Sequence, residues 1–461
     1  MSVLSDWVSK RWPKIQAPPE QGVEPVAAED RQMGFWDYFV LWGDLGLGLL
    51  VMFTGSFLAP GLGLGQALLV ILIGSVIGSL LLAATGVIAA RTGAPTMVLL
   101  RAPLGQRGSY LPTLINVVQL VGWTIFEMII IGHAANSVSQ SVLGLDNYAL
   151  WCGVFAVVVI GMGLGGPVAV VHQWLKKVAV WVMLATSLYL TYAILAQGNL
   201  GALLSRPGDG SLPFWVGVDL VIAMPVSWLP LVADYNRFAR RQGSAFWGTF
   251  LGYLVSNAWF YALGVAFLMA SGVTQEPKGF VAAVALVGGW LSLLILLASE
   301  TDNAWADLYS SAVSTQNLLP QISQRVLILG LGVFSFLVAV WLDITQYELF
   351  LLLIGSLFVP LFGVLLADYF AVQGKNYQVD ELYSHGARPA RRSGFNPAGI
   401  LAWLLGAVVY HLASPATLST SLLPGWGQAF PAWLTDLGGS LPSFAVAFVG
   451  YWLLSRVMRH R

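Results

Sequence analysis

Apolar runs long enough to cross a bilayer as helices, separated by polar or Gly/Pro punctuation, fall at about residues 35–59, 66–90, 110–141, 149–170, 174–196 and 212–236. Six more follow at about 245–271, 280–311, 325–342, 345–373, 397–413 and 437–456. The pattern predicts twelve transmembrane helices, which puts both termini on one side. The third run, within Tyr110 to Ser141, holds a carboxylate, Glu127, near its middle. At about 100° per residue, Asn116, Gln119, Trp123 and Glu127 lie within an arc of roughly 80°, a polar and aromatic stripe on an otherwise lipid-like helix. A charge at mid-membrane costs several kcal/mol, so an acid there marks a functional site; helix packing through a polar stripe is the alternative.

Two other runs are interrupted at corresponding places. The first contains Gly43-Asp44-Leu45-Gly46-Leu47-Gly48, and the sixth contains Met224-Pro225-Val226-Ser227-Trp228-Leu229-Pro230, where two prolines remove backbone donors. Each opens a set of five runs, at about 35–196 and 212–373, and paired interruptions point to an inverted repeat with a site at the midplane. Two extra helices at about 397–456 follow the repeats. The eighth run carries the densest polar cluster, Ser299-Glu300-Thr301-Asp302-Asn303, an oxygen-rich set that suits a hard cation such as Na⁺ or a carried proton. Asp368 of Leu366-Ala-Asp-Tyr-Phe370 falls near an interface and is not expected to hold a substrate.

Composition agrees with a polytopic membrane protein: of 461 residues 57% are hydrophobic and 10% charged, with a mean hydropathy of +0.75. The net charge of zero hides strong sidedness. With the N-terminus inside, 20 of the 22 lysines and arginines fall in cytoplasmic pieces and only Arg206 and Lys278 outside, as the positive-inside rule requires. Residues 1–33 read as a polar cytoplasmic tail without a signal-peptide core, 34–456 as the twelve-helix domain, and 457–461 as a short cytoplasmic tail. The run Arg388 to Arg392 reads as a topological anchor for anionic lipid. The single cysteine, Cys152, excludes an internal disulfide and any cysteine metal cluster, and its apolar setting suggests an inert core residue.

Arg91-Thr-Gly-Ala94 followed by Leu100-Arg101, Gly105, Val121-Gly-Trp123, Ala233-Asp-Tyr-Asn-Arg-Phe238 and Leu366-Ala-Asp-Tyr-Phe370 resemble, in order, the motifs of the nucleobase:cation symporter-1 family. Bacterial cytosine permeases and hydroxymethylpyrimidine transporters look most similar, over about Phe35 to Trp403. The resemblance implies an all-α integral membrane protein, LeuT-like, with twelve transmembrane helices: two inverted five-helix repeats around a central site, plus two C-terminal helices. It implies a secondary active symporter of the plasma (inner) membrane, a monomer with no cofactor. Its partners are then a small heterocycle of cytosine or hydroxymethylpyrimidine type, the bilayer and a coupling cation, Na⁺ favoured over H⁺, with no nucleic acid.

In this family a tryptophan of the third helix stacks on the heterocycle, which Trp123 matches, and the residue one turn later, here Glu127, hydrogen-bonds the ring. The sixth-helix aromatic falls on Pro225 when counted from Asp234, so the chain departs from the pattern and Trp228 is the substitute. Gln119, Asn303, Gly46 and Gly48 complete the substrate-binding candidates. The family's sodium site, carbonyls of the broken first helix and adjacent hydroxyls of the eighth, maps to Gly43, Asp44, Ser299 and Thr301, with Glu300 where a second hydroxyl is expected.

A protonated Glu127 presents one donor and one acceptor, matching the N and NH₂ edge of an aminopyrimidine. Purine, hydantoin or allantoin transport on the same fold is the alternative. A membrane enzyme using Glu127 and Glu300 as acid and base is a reading from another class, opposed by the absence of H-E-x-x-H, G-x-S-x-G or P-loop motifs, and a channel is opposed by the paired breaks. No residue is assigned a catalytic role.

Overall fold

The computed structural model describes residues 22–197, 200–271, 277–342, 347–384, 394–414 and 431–459. Most of the N-terminal tail, the run Arg388 to Arg392 and the last two residues lie outside these. Helices occupy all twelve predicted positions: span one as Phe35–Leu45 and Leu49–Ser56, span two as Leu64–Thr92, span three as Tyr110–Leu143, span four as Tyr148–Gly165 and span five as Pro167–Ala196. Span six is Phe214–Ser227 followed by Val232–Asn236, and spans seven to nine are Gln242–Ser271, Pro277–Leu318 and Gln324–Trp341. Span ten is Tyr347–Leu366, continued by a π-helical turn Ala367–Val372, and spans eleven and twelve are Pro397–Ala413 and Ser440–Arg459. Among the described residues, eight helices are long and apolar enough to cross a membrane by length and composition, or nine with the bent pair of span one. Spans six and eleven contribute shorter apolar helices of 14 and 17 residues.

Both interruptions are present. The two half-helices of span one meet at 56°. Gly48 there takes φ +153°, which side chains rarely adopt, and a Cβ on it would lie 2.9 Å from Glu300 Oε1, so the break tolerates only glycine. In span six, Pro225 lies in the last turn of Phe214–Ser227 and Pro230 within a turn over Trp228 to Leu231 that precedes the short helix Val232–Asn236. The carbonyl of Pro230 is met from span three, where Asn116 Nδ2 donates to it at 3.3 Å.

The helices pack in pairs that map onto one another when spans one to five are exchanged for six to ten. Span one lies on seven as six lies on two, three on four as eight on nine, four on eight as nine on three, and one on five as six on ten. Spans three and eight form the axis of this arrangement, each packed on the other along its length. Burial follows the same geometry. The most apolar windows of spans three and ten are 67% and 78% buried, whereas those of four and twelve are 22% buried, so the former form the interior and the latter turn apolar side chains outward.

At the end of the bundle that carries the N-terminus, Gly22 to Met33 lies across the loops as a strap. Val26 N donates to Gly93 O (2.9 Å), Arg31 Nη1 to Ala90 O (3.1 Å), and Met33 exchanges backbone bonds with Phe238 and Arg240. Arg237, completely buried, donates to Gly22 O at 2.7 Å and to Tyr309 Oη at 3.1 Å, and Tyr383 Oη donates to Val23 O at 2.8 Å. The Ala233 to Phe238 motif is thus a structural knot. Asp234 Oδ1 accepts from Thr96 N, Tyr235 Oη donates to Ala306 O, and Asn236 Oδ1 accepts from Trp42 Nε1, all within 2.7–2.9 Å. Asp368 is likewise structural, accepting from Tyr377 Oη and Tyr451 Oη at 2.7 Å each.

Candidate functional site

Where the two broken spans face spans three and eight, a small cavity is walled by Leu45, Leu50 and Val51 of span one, Trp123 and Glu127 of span three, Met224, Ser227 and Trp228 of span six, and Asn303 and Asp307 of span eight. Its water-accessible volume is about 20 Å³, room for about one water, so a six-membered ring enters only when the walls part. Trp123 is packed against Phe350 of span ten (centroids 5.2 Å) and Trp228 against Trp42 (6.1 Å), both edge to face, which holds the two indoles at the cavity. Among the described residues, no lysine, arginine or histidine lines this wall.

Four of the residues expected to bind substrate, Trp123, Glu127, Trp228 and Asn303, therefore share one cavity. Trp228 stands there and Pro225 does not, because the Pro225 ring packs into the groove at Gly78 of span two. Gln119 is a correction. It lies two turns behind Glu127, and its Nε2 donates to Asn116 Oδ1 at 2.8 Å, while Asn116 Nδ2 also donates to Ser314 Oγ at 2.9 Å. The lower half of the polar stripe thus binds span three to spans six and eight. Gly46 and Gly48 also lie off the wall, Gly46 against Ser256 of span seven and Gly48 under the Glu300 carboxyl.

Asp307, which the sequence reading passed over, completes the wall. The signal was available: Ser299, Asn303 and Asp307 recur at four-residue spacing and so share one helix face.

The residues expected at a cation site do not converge. Gly43 packs toward Gly252 of span seven. Ser299 Oγ donates to Leu47 O at 3.0 Å, and Thr301 Oγ1 turns back to Leu297 O of its own helix. Glu300 Oε1 accepts the backbone N–H groups of Leu49 and, at 3.3 Å, Leu50, the first two residues of the second half-helix. This carboxylate caps a helix N-terminus, where unpaired N–H groups and the helix dipole favour negative charge.

Asp44 instead meets Asp302. The two carboxyl groups lie within hydrogen-bonding reach, Trp174 Nε1 donates to Asp302 Oδ1 at 2.8 Å, and both Asp44 oxygens and Asp302 Oδ2 are buried without a donor. Glu127 and Glu300 form a second pair with their carboxyl groups within hydrogen-bonding reach, each with a buried Oε2 that no N–H reaches. Glu300 and Asp302, two residues apart on a helix, face opposite ways and so serve different pairs.

Broken helices in two exchanged five-helix sets around a central cavity are the architecture of a membrane transporter. The family of permeases for cytosine/purines, uracil, thiamine and allantoin matches residues 25–431, and the chain belongs to this nucleobase:cation symporter-1 family, as a transporter and not an enzyme. It is 22% identical to the hydantoin permease of Microbacterium maritypicum over 88% of this chain and 87% of that one. It is 26% identical to the cytosine permease of Escherichia coli (strain K12) over 78% of this chain and 81% of that one. The structure of Mhp1, a nucleobase-cation-symport-1 family transporter, in a closed conformation with bromovinylhydantoin bound, superposes with a TM-score of 0.81 at 19% identity, covering 96% of each chain.

Proposed function

We propose that this chain is a secondary active symporter of the plasma membrane that imports an amino-substituted pyrimidine, of cytosine or hydroxymethylpyrimidine type, with a cation, by alternating access around the cavity of Trp123, Glu127, Trp228, Asn303 and Asp307. The observation that carries the substrate class is the polar character of the wall. Glu127 and Asp307 supply acceptors, a protonated Glu127 adds one donor, and Asn303 has an amide. An exocyclic amine beside a ring nitrogen pairs with such groups, whereas a cyclic imide sets its carbonyls against carboxyl oxygens. Leaving one buried polar group unpaired costs about 1–3 kcal/mol, enough to select between these rings. Tryptophan faces hold the flat ring without choosing it. Both termini are cytoplasmic in this reading, on the distribution of lysine and arginine.

The coupling cation in this reading acts between spans one and eight at Asp44 and Asp302. Sodium is the expectation from the family resemblance, the broken first helix and Ser299. With Ser299 and Thr301 both donating to backbone carbonyls and two carboxyl groups in contact, the geometry supports a shared proton better, because touching carboxyls are stable with a proton between them. Sodium is the second reading, favoured by the three donor-free oxygens of this pair, and would need both acids ionised.

Proteoliposome uptake of radiolabelled cytosine and hydroxymethylpyrimidine, with Na⁺ replaced by choline and with or without an inward pH gradient, tests the whole proposal. Accumulation driven by the pH gradient alone is expected. Accumulation only with sodium would reverse the choice of ion, and equilibration without accumulation under either gradient would rule out symport.

A further inference from the structure

Glu300 is 1% exposed and lines no part of the cavity wall, yet it touches both the cavity's acid and the broken helix. Ser299 and Glu300 together hold the two sides of the break in span one. The hydroxyl takes a carbonyl within the break, Leu47 O, and the carboxylate takes the first N–H groups after it, those of Leu49 and Leu50. Gly48 lies between, without a side chain, which lets the carboxylate approach the backbone. On the other side Glu300 meets the Glu127 carboxyl. Of the two, Glu300 already accepts N–H groups and so acts as the carboxylate, which leaves Glu127 as the partner that donates.

We propose that Glu300 is a positioning residue that couples substrate engagement at Glu127 to the half-helix Leu49–Ser56. In the closed cavity Glu127 donates a hydrogen bond to Glu300, and Glu300 holds the N-terminus of the half-helix against span eight. A heterocycle that pairs with Glu127 takes over that hydrogen bond, Glu300 is drawn from its place, and the half-helix loosens from span eight. The proposal rests on the reading of the cavity as the substrate site. It makes Glu300 a transmitter that neither contacts the heterocycle nor carries the coupling cation.

Amide hydrogen exchange of the purified full chain reads this directly, because Leu49 and Leu50 exchange as fast as their cap opens. Without ligand, Glu300→Ala is expected to speed exchange of these two amides about tenfold, and Glu300→Gln, which keeps an acceptor oxygen, to stay within about threefold of wild type. Glu127→Leu, whose side chain does not touch these amides, is expected to speed them about threefold or more, an effect that mere packing would not produce. Saturating wild type with hydroxymethylpyrimidine, with saturation established by thermal shift, is expected to do the same. Unchanged exchange in Glu127→Leu, or in the saturated wild type, would overturn the coupling. Should Glu300→Ala fail to yield a monodisperse protein, Glu300→Gln and Glu127→Leu carry the test. Should the wild type bind neither cytosine nor hydroxymethylpyrimidine, the substrate reading falls, while the ligand-free variants still decide whether Glu127 and Glu300 act as one unit.

Discussion

Trp174 Nε1 donates to Asp302 Oδ1 at 2.8 Å, which fastens the π-helical start of span five to span eight beside Asp44 of span one. Trp174 lies within the π-helical stretch Val171–Ala179, its ring partly exposed while its indole N–H reaches Asp302. If Asp302 takes part in coupling, Trp174→Phe removes the indole N–H that Asp302 accepts and keeps a smaller aromatic ring. The concentration of coupling cation needed for half-maximal uptake should then shift by roughly tenfold, the scale of one hydrogen bond to a charged group, while ligand affinity without a gradient stays the same. Initial rates in proteoliposomes against imposed gradient check this, and an unchanged dependence removes the Asp44–Asp302 pair from coupling.

Trp123→Ala should abolish saturable uptake while the protein folds, since the buried Trp123 lines the cavity and the space its indole leaves joins that cavity. Trp123→Phe keeps a smaller aromatic face and should raise the apparent KM by about tenfold or less, in line with the roughly 0.5–1.5 kcal/mol of aromatic stacking. Uptake kinetics at matched expression measure both.

Asp307→Asn exchanges a carboxyl group on the cavity wall for an amide of similar size, which changes the donors and acceptors presented there. It should weaken an aminopyrimidine by about 1–3 kcal/mol and bring carbonyl-rich rings such as hydantoin or uracil into competition. Competition against labelled cytosine in wild type and variant reads the ratio, and an unchanged ratio would take Asp307 off the specificity wall.

Arg237→Ala should lower stability by about 2–4 kcal/mol, because the buried guanidinium satisfies the carbonyls of Gly22 and Glu24 and the Tyr309 hydroxyl. The loss should also free the strap, seen as faster hydrogen exchange over residues 22–33. Deleting residues 1–33 removes the acceptor of the Arg240 amide, which should then exchange faster as it does in Arg237→Ala, with a smaller loss of stability. A thermal melt and exchange on both variants separate the two effects.

Much of this molecule follows from the chain's own pattern. Twelve apolar runs place the helices, since a bilayer leaves the backbone no partners outside its own segment. Gly46-Leu-Gly48 and Pro225 to Pro230 place the breaks, since glycine permits and proline forces departure from the helix. Trp123, Glu127 and Asn303 could be named because a polar group on a lipid-like helix has few other uses. What one helix could not say is which way each polar group turns at its neighbours. Glu300 and Asp302 are adjacent in sequence pattern but serve opposite sides of span eight, one the half-helix of span one and the other Asp44. Gln119 fits the stripe as well as Trp123 does, yet its amide is bound to Asn116. Trp174 opens the apolar run at about 174–196, and nothing in that pattern says that its indole N–H meets Asp302. Such assignments depend on which helix ends approach which, a matter of packing between segments more than 100 residues apart, as in Ser299 to Leu47 at a separation of 252.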